Sequence, residues 1–479
     1  MTLALNIPGL SPADRDTLHQ LVQQLENKRA RNALRSQYYD GKALFKDLGI
    51  STPPKFRNFE AVLGWPAKAV DSLSRRCILE GFVIPGQSSQ DLGIEDMWFD
   101  NALDIEVPQA HDSAFIHSCA FVTTIRGDVR SGEPEVLIMV RDAFNATGLW
   151  NPRRRGFDAG LSIVERDKEG APLYIIMYLP EKVLILTRDY LGGPWRIAQR
   201  PNPLGRVPME PITYRPRLGY PFGKSRITRP VMYITDAAIR TVVRSEIGAE
   251  FFTAPQRYGL NIPEDAFANG GWNALMGRFL ALEPPSPDEE VDPNFKPEVG
   301  QFPQMTMQPH SEQLRQWAAL FAAETSIPVS SLGVVQDNPS SAEALYASKE
   351  EMVIEAESAT RVFGIGWCRA MRNALMVRDN TSELSDEYRK LRAKWRNPST
   401  PSQAAAADAV TKQLSVLPWM AESEVVLEQL GYDRTDIDRL VADRRRSTVS
   451  NILNVIQNRA NQQATPEPTA QQESSEPTE

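Results

Sequence analysis

From about residue 341 to about residue 378 the chain keeps helical periodicity without a break, and this stretch constrains the fold more than any other. Leu345, Met352 and Ala359 recur every seven residues, and so do Ala356, Phe363, Ala370 and Val377. Together they form a continuous apolar seam along one long helix. Gly364 and Gly366 interrupt the seam, where they permit either a bend or the close approach of another element. A seam of this length has to be covered by something.

The rest of the chain organises around that helix. At 479 residues it exceeds what one core holds, so two or more structural regions are expected. Residues 11–39 read as a helix capped by Ser11, with Pro12 in its first turn and Leu18, Leu21, Val22 and Leu25 on one stripe. Lys28, Arg29, Arg31 and Arg35 fall in its later half, where cations complement the helix dipole. Residues 40–225 mix helix and strand. Strand-like runs at Phe121–Ile125, Val136–Val140, Leu173–Leu179 and Val183–Leu186 are separated by turn signals such as Asn151-Pro152, Glu169-Gly170 and Gly192-Gly193-Pro194. A helix is expected over 226–252, short Pro- and Gly-rich segments over 253–308, and a second helix over 309–325 with Leu314, Trp317, Ala318 and Phe321 on one face. Residues 326–340 read as a loop. Residues 399–460 read as a small helical set, with Ser402 and Thr435 as caps, Gly431 ending a helix, and Asp436 and Asp438 in a first turn. The tail from about 461 has no aromatic residue and is expected to be disordered.

Composition narrows the function. Net charge is −8 and the pI about 5.4. A protein that grips nucleic acid by its phosphates carries excess Lys and Arg, and this one does not. Cys77, Cys119 and Cys368 are far apart, with no CxxC pair, which argues against a disulfide framework or structural zinc and suits a reducing cytoplasm. The first ten residues lack the pattern of a signal peptide, and no apolar run reaches membrane-spanning length, so no membrane association is expected.

The candidate chemistry is thin. Gly219-Tyr-Pro-Phe-Gly223-Lys224-Ser225 resembles a P-loop, but it has three residues where four are required, and Leu218 occupies the glycine position. Gly223 and Ser225 are expected to shape and cap the next helix. His111, His117 and Cys119 match no zinc spacing, and the two histidines read as a packed, hydrogen-bonded pair. No Gly-x-Ser-x-Gly elbow occurs. Arg153-Arg154-Arg155 reads as a solvated turn, and Arg444-Arg445-Arg446 as cations near a helix C-terminus. No catalytic residue, metal or cofactor is expected.

Several segments carry a resemblance: Ser326-Ile-Pro-Val-Ser-Ser-Leu-Gly333, then Asn338-Pro-Ser-Ser-Ala-Glu-Ala-Leu345, then Phe363-Gly-Ile-Gly-Trp367. Further matches are Tyr38-Tyr39-Asp40-Gly41, Asn58-Phe59-Glu60 through Asp71-Ser72-Leu73-Ser74, Pro221-Phe222-Gly223-Lys224-Ser225 and Leu430-Gly431-Tyr432. In this order and spacing, up to about residue 455, the chain resembles the portal proteins of tailed bacteriophages, especially those of siphophages infecting actinobacteria. The resemblance implies an α+β subunit of a ring, typically of twelve copies, at one capsid vertex of the virion, assembled in the host cytoplasm. It implies an N-terminal helix (1–39), a mixed α/β wing (40–225), a two-helix stem (226–252 and 309–325), a small clip (253–308), a tunnel loop (326–340), the long helix (341–378), a wing return strand (379–398), a helical crown (399–460) and a tail (461–479). The expected partners are double-stranded DNA in the channel, the terminase large subunit, a head-tail adaptor, and major capsid and scaffold proteins. Partner contacts would fall on Pro287, Asp288, Glu289 and Glu290 in the clip. The DNA-channel loop would comprise Val329, Ser330, Ser331, Leu332, Gly333, Val334, Val335, Gln336, Asp337 and Asn338. The seam residues Leu345, Met352 and Phe363 would pack within the ring or against the subunit's own wing. The rival readings are another head component, such as a minor capsid or scaffold protein, and a capsid-associated hydrolase.

The residues favour a conduit on their own terms. The 326–340 segment holds fifteen residues and no Lys, Arg or His. Folded as a hairpin it reaches about 25 Å. A loop without cations cannot hold phosphates tightly, and twelve copies at −8 carry roughly −96. DNA inside such a ring slides more easily than it sticks.

Overall fold

The computed structural model describes residues 7–43, 61–85, 92–253, 257–260, 298–301, 306–333, 342–399, 403–432 and 434–463. They fall in two compact units, Met1–Pro398 and Ser399–Glu479. The first unit begins with α1 (Pro12–Tyr39), α2 (Trp65–Ser74), β1 (Leu79–Val83), α3 (Ile94–Asp100) and α4 (Leu103–His117). Strands β2 (Cys119–Arg126), β3 (Val136–Asp142), β4 (Ala146–Asn151), β5 (Gly156–Arg166), β6 (Pro172–Tyr178), β7 (Lys182–Thr187), β8 (Arg196–Pro201) and β9 (Met209–Thr213) follow. Next come α5 (Arg229–Thr253), the strand pair β10 (Arg257–Leu260) and β11 (Glu298–Gln301), α6 (Gln308–Thr325), α7 (Ala342–Arg378), the short α8 (Asp386–Arg389) and β12 (Arg392–Trp395).

Five strands form an antiparallel meander in the order β4-β5-β6-β7-β8. Helix α1 covers one face. Its Ser11 Oγ accepts the Asp14 N–H at 3.2 Å, the cap that the sequence requires. Leu18, Leu21, Val22 and Leu25 then pack on Leu161, Ile163, Ile175, Met177 and Leu184. The opposite face meets a three-stranded sheet, β3-β2-β9, through Phe121, Phe157, Ile176, Tyr178 and Met209. With both faces covered, β5 is buried from Ala159 to Ile163 rather than at alternate residues. Gly160 permits the approach: a Cβ there would lie 2.9 Å from Met209 Sδ.

The main core lies beyond the three-stranded sheet, where α2, α4, α5, α6 and α7 meet around Phe115, Phe321, Phe363 and Trp367. Helix α7 is continuous, and its two glycines serve close packing. A Cβ on Gly366 would stand 2.6 Å from the Pro211 carbonyl oxygen of β9, and one on Gly364 would stand 3.1 Å from Trp395 Nε1 of β12. Strand β12 returns to pair antiparallel with β1, Leu79 opposite Trp395. Helices α5 and α6 run antiparallel, as Thr228 Oγ1 donates to Glu324 at 3.2 Å near one end and Thr241 Oγ1 to Gln313 at 3.3 Å further along.

The second unit holds α9 (Gln403–Val416), a 3₁₀ turn (Pro418–Glu422), α10 (Glu424–Leu430) and α11 (Arg434–Gln463). Gly431, at φ +92°, ends α10. Other sequence expectations here need correction. Thr435 lies inside α11 and caps nothing, whereas Ser423 caps α10 by accepting the Val425 N–H. Arg444, Arg445 and Arg446 sit mid-helix, because α11 runs on to Gln463, past the expected start of the tail. Arg446 pairs instead with Asp443 one turn back, at 3.3 Å.

Candidate functional site

The segment read as a channel loop begins where α6 stops. Ser326 adopts φ +52° and its N–H bonds the Ala322 carbonyl, closing the helix. Ile327 is buried in the main core. Val329, Ser330, Ser331 and Leu332 form a 3₁₀ turn that Gly333 ends at φ +84°, and Leu332 packs against the core. This first half of the expected loop is therefore folded onto the subunit body, because an apolar residue two positions past the helix end pulls the chain inward. Val334, Val335, Gln336, Asp337 and Asn338 lie outside the described residues.

One buried arginine holds the root of this segment. Arg226, just before α5, donates from Nε to the Ala69 carbonyl of α2 at 2.7 Å. One terminal nitrogen donates to the Thr325 carbonyl, the last residue of α6, at 2.5 Å. The other lies 2.6 Å from the Glu355 carboxylate of α7 and donates to the Tyr214 hydroxyl at 3.3 Å. Glu355 also takes a hydrogen bond from Tyr214 and an ion pair from Arg215 at 2.7 Å. Burial works against charge on Arg226, but Glu355, and after it Tyr214, outweigh that and raise its pKa above the ordinary arginine value. Burial also pushes the Tyr214 hydroxyl up, with Glu355 adding to it against Arg226. Five segments thus meet at one charge pair whose remaining hydrogen bonds are satisfied, the condition under which a buried ion pair is tolerated.

Nearby, the Tyr38-Tyr39 pair ends α1 by tying it to two other helices. The Tyr38 hydroxyl donates to the Asp236 carboxylate of α5 and the Tyr39 hydroxyl to Asp71 of α2, both at 2.9 Å. Neither these bonds nor the Arg226 pairing carries a local sequence signal. The only trace is that Arg226 follows directly on Gly223-Lys224-Ser225, the stretch singled out for another reason.

The remaining candidates fall as follows. Met352 and Phe363 are buried at 3% and 0% exposure within the subunit's own core, so the described part of the seam is covered by its own sheet and helices. Leu345 lies in α7, but its side chain is outside the description, as are Pro287, Asp288, Glu289 and Glu290. Ser225 does not cap a helix. Its Oγ donates to the Ile116 carbonyl at 2.5 Å and accepts the Ile227 N–H, while α5 starts at Arg229 with Thr228 Oγ1 accepting the Val231 N–H. Gly223, at φ +73°, lets the chain pass Tyr214, whose carbonyl a Cβ would strike at 2.1 Å. The N–H groups of Gly223 and Lys224 already bond the Tyr220 and Tyr214 carbonyls, which leaves them unable to cradle a phosphate.

His111 and His117 are each packed and bonded, but not to one another. His111 Nε2 accepts from Trp367 Nε1 at 3.0 Å and its ring stacks on Phe363, and burial pushes its pKa down to about 3. His117 Nε2 meets Ser36 Oγ at 2.9 Å, and burial lowers its pKa to about 4. No group of His, Cys, Asp and Glu able to hold a metal occurs among the described residues. In the Asn151-Pro152 turn, Asn151 Oδ1 accepts the N–H groups of Arg153 and Arg154, and the Arg155 carbonyl accepts from Arg369 of α7 at 2.7 Å.

This arrangement is a set of long helices locked at one charge pair, and residues 326–340 between α6 and α7 include no Lys, Arg or His. Residues 18–437 match the family model for phage portal proteins of the SPP1 Gp6-like type. The chain belongs to the phage portal protein family. It is 28% identical over 425 residues to the portal protein of Mycobacterium phage D29, covering 86% of this chain and 85% of that one. It is 27% identical over 420 residues to the portal protein of Mycobacterium phage L5, covering 85% and 84%. Portal family membership brings the general role of a portal in DNA packaging at the capsid vertex, in proteins that oligomerise. No described helix of this portal chain is long and apolar enough to cross a membrane.

Proposed function

We propose that this chain is one subunit of a ring, of twelve copies, that forms the channel for double-stranded DNA during packaging and ejection and acts as a conduit, not an enzyme. The family match over residues 18–437 carries this reading. In it, α5 and α6 are the stem, residues 253–308 the clip, the sheets with β12 the wing, 326–340 the channel loop and 399–460 the crown. The clip, with Pro287, Asp288, Glu289 and Glu290, docks the terminase large subunit and later the head-tail adaptor, and the outer surface meets major capsid and scaffold proteins.

The Arg226–Glu355 pair supports the reading mechanically. A loop that DNA passes needs a fixed base, and the carbonyl of Thr325, one residue before the loop, is held by the same guanidinium that grips α7 at Glu355. Negative-stain images of purified protein test the proposal: rings with a central hole are expected. Their absence across several salt concentrations, or hydrolysis of DNA or peptide by the pure protein, favours another head component or a hydrolase.

A further inference from the structure

Two exposed features of the first unit have no partner among the described residues. The first is the turn at Arg217–Tyr220. Arg217 and Tyr220 form a β-bridge, and the Arg217 guanidinium sits 4.3 Å over the Tyr220 ring. Between them Leu218 is 100% exposed at the tip. Leu218 thus presents a single apolar side chain, an apolar knob, at the tip of an ordered turn. Its surroundings are basic, since residues 219–223 line a 290 Å³ pocket together with Lys28 and Arg31.

The second feature is a 620 Å³ hollow lined by Ile78, Leu79, Trp98, Leu103, Val107 and Pro108. Asp71, Asp104 and Asp112 also line it, against one cation, Arg75. Phe99 and Ile105, adjacent in sequence to lining residues, are 70% and 60% exposed. The hollow is thus apolar and net acidic, the complement of the knob.

The two features lie at different places along α4. The knob's hairpin is anchored at the C-terminal end, where the Tyr214 N–H bonds the Ser118 carbonyl and the Arg226 N–H the Phe115 carbonyl. The hollow takes Leu103, Asp104, Val107 and Pro108 from the N-terminal half of α4 and reaches Asp112 further along it. In helix rise, Leu103 lies about 18 Å and Asp112 about 4.5 Å from the Phe115 anchor. A chain with complementary patches at two separate places associates head to tail, and head-to-tail contacts that close make rings.

We infer that Leu218 of one subunit seats in the Ile78–Trp98–Pro108 hollow of the next, with Arg217 facing Asp104 and Asp112. This rests on the ring reading above and names the surfaces that make the ring. Leu218→Asp with Arg217→Glu removes the knob, and Ile78→Lys with Asp104→Lys removes the socket. Because Asp104 accepts from Trp98 Nε1, Ile78→Lys alone serves as a second socket variant. Thermal melts establish that each variant is folded, and mass photometry reads the assembly.

Wild-type protein is expected to form rings, and each folded variant to lose ring yield by about tenfold or more. Mixing knob-less and socket-less chains should yield one-to-one dimers and no rings, because one intact knob and one intact socket remain. Rings from either variant alone, or monomers that fail to pair on mixing, overturn the inference. Wild-type protein that forms no rings overturns the ring reading itself, and this contact with it.

Discussion

The Arg226 guanidinium lies 2.6 Å from the Glu355 carboxylate, and both side chains are buried. This pair joins the start of α5 to α7, and through the Thr325 carbonyl it also reaches the end of α6. Glu355→Ala leaves a buried guanidinium without its counter-charge. Such a loss costs about 3–5 kcal/mol, and chemical denaturation should show a shift of that size that persists in high salt. A shift under 1 kcal/mol would mean that the pair contributes little to holding the helices together.

Glu210 of β9 should give the portal a pH-dependent stability. Burial pushes its pKa up to about 7, against Arg369, Arg206, Asn373 and Arg372. Its Oε1 receives Asn373 Nδ2 at 3.4 Å, and its Oε2, 3.9 Å from Arg369, has no hydrogen-bond partner among the described residues. An acid whose folded pKa is raised holds its proton in the folded state while the unfolded chain releases it. Stability is therefore fully present below the unfolded value of 4.5 and is lost as pH rises through about 7, by roughly 3 kcal/mol at most. Glu210→Gln should flatten this slope between pH 5 and 8. Identical pH profiles for the two proteins would refute the assignment.

Gly366 and Gly364 should respond unequally to alanine. The added methyl at 366 would stand 2.6 Å from a backbone carbonyl, which cannot yield, whereas at 364 it would meet the Trp395 ring at 3.1 Å. Gly366→Ala is expected to cost about 1–3 kcal/mol and Gly364→Ala less. Melting curves that rank the two the other way would contradict the packing described for α7.

If residues 326–340 line the channel as proposed, packaging should be sensitive to charge there. Lysine at Val334 or Gln336 places cations in a segment that has none, and each cation held on phosphate adds salt-dependent friction. In a packaging assay such variants should slow or stall, and raising the salt should relieve part of the defect. Packaging at the normal rate with several lysines present would show that the absence of cations has no role in sliding.

Local pattern carried much of the fold. Helix α1 begins at the Ser11-Pro12 cap, α7 spans the stretch where the seam periodicity holds, and the apolar runs around Phe121, Val136, Leu173 and Val183 are strands. These features depend on neighbours along the chain, so a sequence displays them. Where nonlocal contacts decided, local reading went astray. Ser225 bonds the end of α4 instead of capping a helix. Nor does local pattern show that Val329–Leu332 forms a 3₁₀ turn beside Ile327, which is buried in the core.

The amino-acid sequence by itself determined the first and longest helices, the acidic balance and the lack of Lys, Arg and His in residues 326–340, which follow from composition and short-range spacing, while the likeness to phage portals rests on matched segments along the chain. The tertiary structure alone decided that Arg226 meets Glu355, that Met352 and Phe363 face inward, and that Leu218 stands fully exposed at the tip of its turn. Those relations join residues distant in sequence, and only the packing of sheets and helices around a shared core brings them to their places.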